Sequence, residues 1–541
     1  MTQPAGQQPQ EGFGAPYDPP PGAPGYGYPP TPYAPHPGPY GPSLQGSYGH
    51  PPQPPGVTGP AGPGGGGRFK GRTGAIVGAV LALVLVAGGG VWFALSGDDD
   101  GKMPAAGPAP TAGQGDGKSD GKGESDAELA KRLDGLREPG EAKVRWVQSL
   151  GVDLPARAMG VYGPWRAGDI VARAFYRTVS GYSMSDGAVR WSLRLPEDIC
   201  GAPTLPTTDG KIVVVTEGEK TDTGADCSVM QMIDLRTGKT GWTKAMPDNP
   251  DTQRRPAVAA NGATVTFARP GQVHTYRAED GQELFAAQPR GCQSYSFVSG
   301  PRMVALANCA EGHEVQEFDP ASGKLKWRYA VEKGWSVEQV YSVSPLVVAM
   351  GKDDAWRLVA LRDDGTYRSG IDLGTRDVDL GFAGYEVRCG GYLVVSRNRD
   401  DCEGVAADDD TFYISTKRKH VEFDIDNRIV AFDLDTGRQK WAADAPLGRR
   451  MEPMRVDGGK LLVHVAATRT RGGEIATLAP TGGEPRTLLT HPASTAVIEA
   501  GMTAAEVDYE DGRSLLTLPL VGTAEDDEAE MSMQTMLAFG E

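Results

Sequence analysis

Six cysteines, five histidines and two acidic runs are the residues after position 140 whose types suit redox, metal or acid–base chemistry. Cys200, Cys227, Cys292, Cys309, Cys389 and Cys402 include no adjacent pair and no C-x-x-C, and no histidine stands beside them at zinc-ligand spacing. An even set of this kind reads as disulfides of an oxidising compartment. Fifteen connectivities are open to six cysteines, and pairing of sequence neighbours (200–227, 292–309, 389–402) is the simplest. His274, His313, His420, His464 and His491 are dispersed, without the i, i+4 spacing of a zinc helix. No G-x-S-x-G elbow and no phosphate-cradling glycine loop is present. The runs Asp408–Asp410 and Glu525–Glu528 lack the alternating ligands and glycine of an EF-hand loop. They read as solvated loops, with weak Ca²⁺ binding as the alternative. No residue is assigned as catalytic, as cofactor-binding or as a metal ligand.

The elements that must position these residues announce themselves by repetition. Ala431 to Trp441 (AFDLDTGRQKW) runs from an apolar strand through an Asp/Thr/Gly turn to an aromatic four residues after the glycine. Related segments carry Gly187 with Trp191, Gly238 with Trp242 and Gly323 with Trp327. Weaker ones end at Gly281 with Phe285, at Gly365 and at Gly482. The glycines recur every 42–51 residues, with one step of 72. A period of this size denotes an array or a propeller. Asp accepts hydrogen bonds from the amides ahead of it, and Gly supplies the positive φ of the reversal. The aromatics Trp146, Trp191, Trp242, Phe285, Trp327 and Trp441 are expected to pack between neighbouring blades, in preference to stacking on a ligand.

Between these turns lie short β-branched strands such as 211–216, 393–396 and 460–464, and no helical periodicity is visible from 140 to 541. The C-terminal Met536–Glu541 resembles Ile429–Asp433 but stops before any turn, and the missing outer strand reappears at Lys143–Leu150. Joining the two closes a ring without a free sheet edge. Outer strands near Trp146, Trp191, Trp242, Phe285, Trp327, Ser369, Trp441 and Arg486 predict an all-β, eight-bladed β-propeller, with seven blades as runner-up. The long step between Gly365 and Gly437 holds Cys389, Cys402, the acidic Asp408, Asp409 and Asp410 and the basic Lys417, Arg418 and Lys419. Insertions in repeat proteins map to loops on one face, so this stretch is expected to be a disulfide-tethered partner-binding loop.

Composition divides the rest of the 541 residues. Residues 1–67, rich in Pro, Gly and Tyr, lack the aliphatic surface to offset ordering and are expected to form a disordered cytoplasmic tail. A basic segment, 68–73, precedes 74–95, an uncharged stretch of 22 residues. At roughly 1.5 Å per residue it crosses a bilayer core of about 30 Å. Arg68, Lys70 and Arg72 before it and Asp98–Asp100 after it predict a single-pass anchor in the cell membrane, the N-terminus cytoplasmic and the remainder extracytoplasmic. Residues 96–139 read as a flexible linker carrying a short helix, opened by the Ser125-x-x-Glu128 capping box and running to about Arg137. The propeller takes 140–541. A net charge of −16 argues against nucleic acid as partner.

The pattern Ala431-x-Asp433-x-x-Thr436-Gly437-x-x-x-Trp441 resembles the repeat of PQQ-like (quinoprotein-type) β-propellers. That group includes PQQ-dependent alcohol dehydrogenases and the outer-membrane-assembly propeller lipoprotein of Gram-negative bacteria. The tail–anchor–propeller layout is similar to exported propeller proteins of high-GC Gram-positive bacteria. For an enzyme the resemblance implies a quinone at the central channel, a bound Ca²⁺, a catalytic Asp and often a disulfide between adjacent cysteines. With no Cys-Cys pair, the expected function is a non-catalytic anchored propeller without cofactor, a scaffold or sensor for a protein or cell-envelope ligand. The alternative is a PQQ/Ca-dependent quinoprotein dehydrogenase.

Overall fold

The computed structural model describes residues 124–155, 159–221, 224–246, 255–269, 271–286, 291–377, 381–382, 384–390, 398–417, 419–421, 424–502, 504–522 and 526–541. The expected tail, the basic segment, the anchor at 74–95 and most of the linker lie outside them. Among the described residues no helix is long and apolar enough to cross a membrane.

Eight antiparallel sheets follow one another along the chain as an eight-bladed propeller. Blades 1 to 7 occupy 162–194, 199–245, 257–285, 292–330, 336–382, 405–444 and 451–490. Each runs from an innermost to an outermost strand, and burial follows that order. Second strands such as 212–215 are apolar and wholly buried, whereas outer strands such as Val189–Arg194, Thr240–Ala245 and Leu325–Ala330 alternate half-buried and exposed residues. A strand covered on both faces reads as a continuous apolar run; a half-covered one alternates.

Blade 8 closes the ring. Its inner strands, Glu506–Glu510, Arg513–Thr517 and Gln534–Gly540, come from the C-terminal part, and its outermost strand is Lys143–Ser149. Lys143 stands opposite Gly540 and Ser149 opposite Gln534. Helix α1 (Asp126–Gly135) begins at a complete Ser125/Glu128 capping box. Its buried Leu129, Ala130 and Leu133 pack with Val144, Leu516, Leu537 and Phe539. The Asp126 carboxylate accepts from the amide and hydroxyl of Ser149, at 2.9 and 2.5 Å. Although it precedes residue 140, α1 is thus part of the propeller's packing rather than of a flexible linker. Two further helices, α2 (Ala496–Gly501) and α3 (Asp527–Met531), interrupt a stretch expected to be free of them; both are under two turns, too short to leave a periodic trace.

The repeated turns interlock neighbouring blades. The rings of Trp146, Trp191, Trp242, Phe285, Trp327 and Trp441 lie against Gly187, Gly238, Gly281, Gly323, Gly365 and Gly482 of the following blade. Indole N–H groups donate to carbonyls beside those turns: Trp191 to Leu235 at 3.0 Å, Trp242 to Ala278 at 2.9 Å, Trp441 to Pro480 at 2.8 Å. Blade 5 has no aromatic here. Ser369 donates instead to the carbonyl of Leu434 at 2.7 Å, and Gly437 sits on the backbone of Gly370. A smaller side chain and a closer backbone approach make the same seam.

Candidate functional site

The cysteines form three disulfides, 200–227, 292–309 and 389–402. The first two lie within blades 2 and 4. The third joins two short paired strands, Arg388–Cys389 and Cys402–Glu403, in the insertion between blades 5 and 6.

The acidic and basic runs of that insertion do not form one loop. Asp408–Asp410 precede the strand Thr411–Ser415 and Lys417 follows it, so they lie at opposite ends of a strand roughly 17 Å long. The acidic run is a tight turn in the blade 5–6 seam. Asp408 accepts from the amides of Asp410 and Thr411 and from the Tyr413 hydroxyl. Arg368 donates to the Asp409 carbonyl and pairs with Asp435 at 2.7 Å. At the other end, the Lys417 amide donates to the Gly384 carbonyl. Lys419 pairs through its backbone with Asp426 in a small hairpin, and Arg418 lies outside the described residues. The two runs therefore flank strand Thr411–Ser415 and do not share one continuous loop.

The described residues 398–403 of the insertion run inward, against the inner strands of the propeller. Asn398, 5% exposed, accepts from the amide of Val258 in blade 3 and donates to the carbonyl of Ala202 in blade 2, at 2.8 and 2.9 Å. Asp400 accepts from the amide of Ser299, beyond the inner strand of blade 4, and from the Thr204 hydroxyl, at 2.6 and 2.8 Å. Arg399 exchanges two bonds with blade 5, donating to the Glu338 carbonyl and accepting at its own carbonyl from Val340. Toward blade 7, Arg388 pairs with Glu403 at 2.6 Å and with Glu452 of the inner strand Met451–Asp457. Three residues, 398–400, together with the Cys389–Cys402 hairpin, tie five of the eight inner walls together.

These residues carry strongly displaced acidities. Burial pushes Asp400 up to about 7, against the two hydrogen bonds it accepts. Glu403 rises to about 7 and Glu506 of blade 8 well above the carboxylate range, by burial first; the Glu403 charge adds to the rise at Glu506. Asp401 is raised by burial as well. Glu452 goes the other way: burial alone would raise it, but Arg450 and Arg388 hold it down to about 2. Arg388 thus pairs with two carboxylates of opposite displacement, Glu452 held down and Glu403 raised by burial in spite of the pair.

A cavity of about 80 Å³ remains between Tyr162, Pro164, Thr204, Asn398, Asp401 and Glu506. Small-ligand pockets begin near ~300 Å³. A quinone stacked at the centre would meet the segment 398–401, and none of the three disulfides joins adjacent cysteines. The described residues do not fit that cofactor. A larger, polar hollow of about 400 Å³ opens where blades 3 to 5 meet the insertion, lined by Arg255, Tyr295, Asn308, His313, Glu338 and Arg399. Burial lowers the basicity of His313 there.

The sequence model of the family described as "Outer membrane protein assembly factor BamB" matches residues 225–375, within blades 2 to 5. The matched stretch holds the turns at Gly238, Gly281, Gly323 and Gly365, while the Ala431–Trp441 copy lies outside it. Among solved structures, the chain is similar to BamB from Moraxella catarrhalis, with 13% identity, 72% of this chain and 99% of that one covered, and a TM-score of 0.39. It is also similar to quinohemoprotein alcohol dehydrogenase from Comamonas testosteroni, with 11% identity, coverage of 74% and 76%, and a TM-score of 0.42. The WD40 domain of SCAP from fission yeast gives 9% identity, coverage of 73% and 94%, and a TM-score of 0.40. No curated protein sequence matches the chain.

Proposed function

We propose that this protein is a non-catalytic, membrane-anchored extracytoplasmic propeller that binds a protein or cell-envelope ligand as scaffold or sensor. The uncharged stretch 74–95 and its flanking charges support the anchor and the topology. The observation that carries the binding role is the inward course of residues 398–401, which occupies the centre where a channel ligand would sit and leaves the outer faces for recognition. The match of residues 225–375 to an assembly-factor family is consistent with a protein partner. We place the binding face at the end of the propeller carrying the insertion, around the hollow between Tyr295, Asn308 and His313.

Photo-crosslinking groups at exposed Asn308 and, on the opposite face, at exposed Asp363 test this in cells. Adducts from position 308 but not from 363 are expected. Adducts from 363 alone would overturn the choice of face. The non-catalytic role fails if the purified protein reduces a dye in a manner dependent on both PQQ and an alcohol.

A further inference from the structure

Helix α3 and the loop that follows the outermost strand of blade 8 meet at the ring closure. The amides of Leu150 and Gly151 donate to the carbonyls of Met533 and Met531, at 2.8 and 2.9 Å. This pairing sets Asp153 beside the first turn of α3. Carboxylate oxygens of Asp153, Asp527 and Glu530 then lie within 4.8 Å of one another. Asp153 and Asp527 are exposed, but Glu530 is 4% exposed. One Glu530 oxygen, Oε2, accepts from the Leu154 amide at 3.3 Å. The other, Oε1, is buried and accepts no hydrogen bond from the described residues.

A buried carboxylate oxygen without a donor is costly, and two further carboxylates beside it add like-charge repulsion. A divalent cation removes both penalties at once. The ligand chemistry selects which one: oxygen donors alone suit hard cations, not the zinc or copper that histidine or cysteine would hold. Ca²⁺ takes 6–8 oxygens at roughly 2.3–2.6 Å, so oxygens on opposite sides of one ion stand about 4.6–5.2 Å apart. Mg²⁺ demands a near-ideal octahedron and gives up its waters reluctantly, whereas the flexible shell of Ca²⁺ suits carboxylates supplied by a loop and a short helix.

We propose that Asp153, Asp527 and Glu530 form a calcium site that fastens the closing blade. Asp153 follows the strand contributed by residue 143 onward, and Asp527 and Glu530 precede the strand contributed by the C-terminal part. A bound ion therefore links the two chain segments whose pairing completes the ring. Water and main-chain carbonyls complete its coordination.

The full chain, purified in detergent and freed of divalent ions by chelation, is titrated with CaCl₂ by calorimetry. Binding with a dissociation constant of about 10⁻⁴–10⁻³ M is expected, as for extracellular calcium modules, together with a Ca²⁺-dependent rise in thermal midpoint. Asp153→Asn and Asp527→Asn should each weaken binding at least tenfold and abolish the rise. Both positions are exposed, so the variants fold, as their far-UV spectra will show. Glu528→Gln, an exposed neighbour outside the triad, should leave both readouts at parental values. Absence of Ca²⁺ binding by the parent, parental affinity in both Asn variants, or equal affinity for MgCl₂ would each overturn the assignment.

Discussion

Gly238 shows how much a single position in the repeat is asked to satisfy. Its φ of +68° already disfavours any side chain, and a Cβ built there would stand 2.5 Å from the Trp191 ring. Gly262 shares the left-handed φ, at +60°, but has open space around it. Gly262→Ala should therefore cost only the backbone penalty of ~1–2 kcal/mol, and Gly238→Ala about 1–3 kcal/mol more for overpacking. Urea unfolding midpoints of the two variants measure the difference. Asp400 makes a pH-dependent case. Its folded acidity lies near 7, above the ordinary 3.8, so its contribution to stability is fully present below about 4 and lost as pH rises through 7. Asp400→Asn keeps an acceptor for Ser299 and Thr204 without the charge. Its thermal midpoint should exceed the parent's by a margin that grows from pH 4 to 7 and levels off above. Glu452, held near 2, has the opposite sign: its support is present above about 4.5 and fades as pH falls toward 2.

At the scale of elements, the insertion is the piece whose course depends on distant partners. Asn398 and Asp400 bind atoms 101 to 196 residues away in the chain. The repeated turns were legible in the sequence because their demands are local: Asp433 accepts from the amides two and three residues ahead, and Gly437 supplies φ +69°. The 72-residue step marked the insertion for the same reason, as a break in a local pattern. Its inward direction left no such mark, since Ala202, Val258 and Ser299 offer only backbone groups to it. The separation of Asp408–Asp410 from Lys417 was hidden too, because Thr411–Ser415 must pair with Arg428–Asp433 before the two ends become visible. The Cys389–Cys402 bond holds this element to a 13-residue loop, a constraint of about 3 kcal/mol in the chain-entropy model. In the Cys389→Ser/Cys402→Ser double variant, amide exchange should quicken at 398–403 and at Val258 and Ser299. Outer strands such as Leu325–Ala330 should exchange at the parental rate.

For the whole molecule, closure through blade 8 makes the two ends of the domain interdependent. Leu537, fully buried, sits opposite Val147 on one side and Leu516 on the other. Leu537→Ala should cost about 2–5 kcal/mol. The loss should appear in one transition, with blade 1 and blade 7 tryptophan or cysteine-label probes moving together; separate transitions would mean that the ring does not unfold as a unit. The same strand pair has a mechanical side. Lys143 faces Gly540, so the chain enters and leaves blade 8 at one end of the pair. A force applied between the linker and the C-terminal residue, once α1 is peeled away, loads the hydrogen bonds of that pair singly, like a zipper. A force applied between Ser149 and Gly540 loads them together, in shear. The seam that completes the ring should therefore resist a load along its strands and yield more readily to one that parts Lys143 from Gly540.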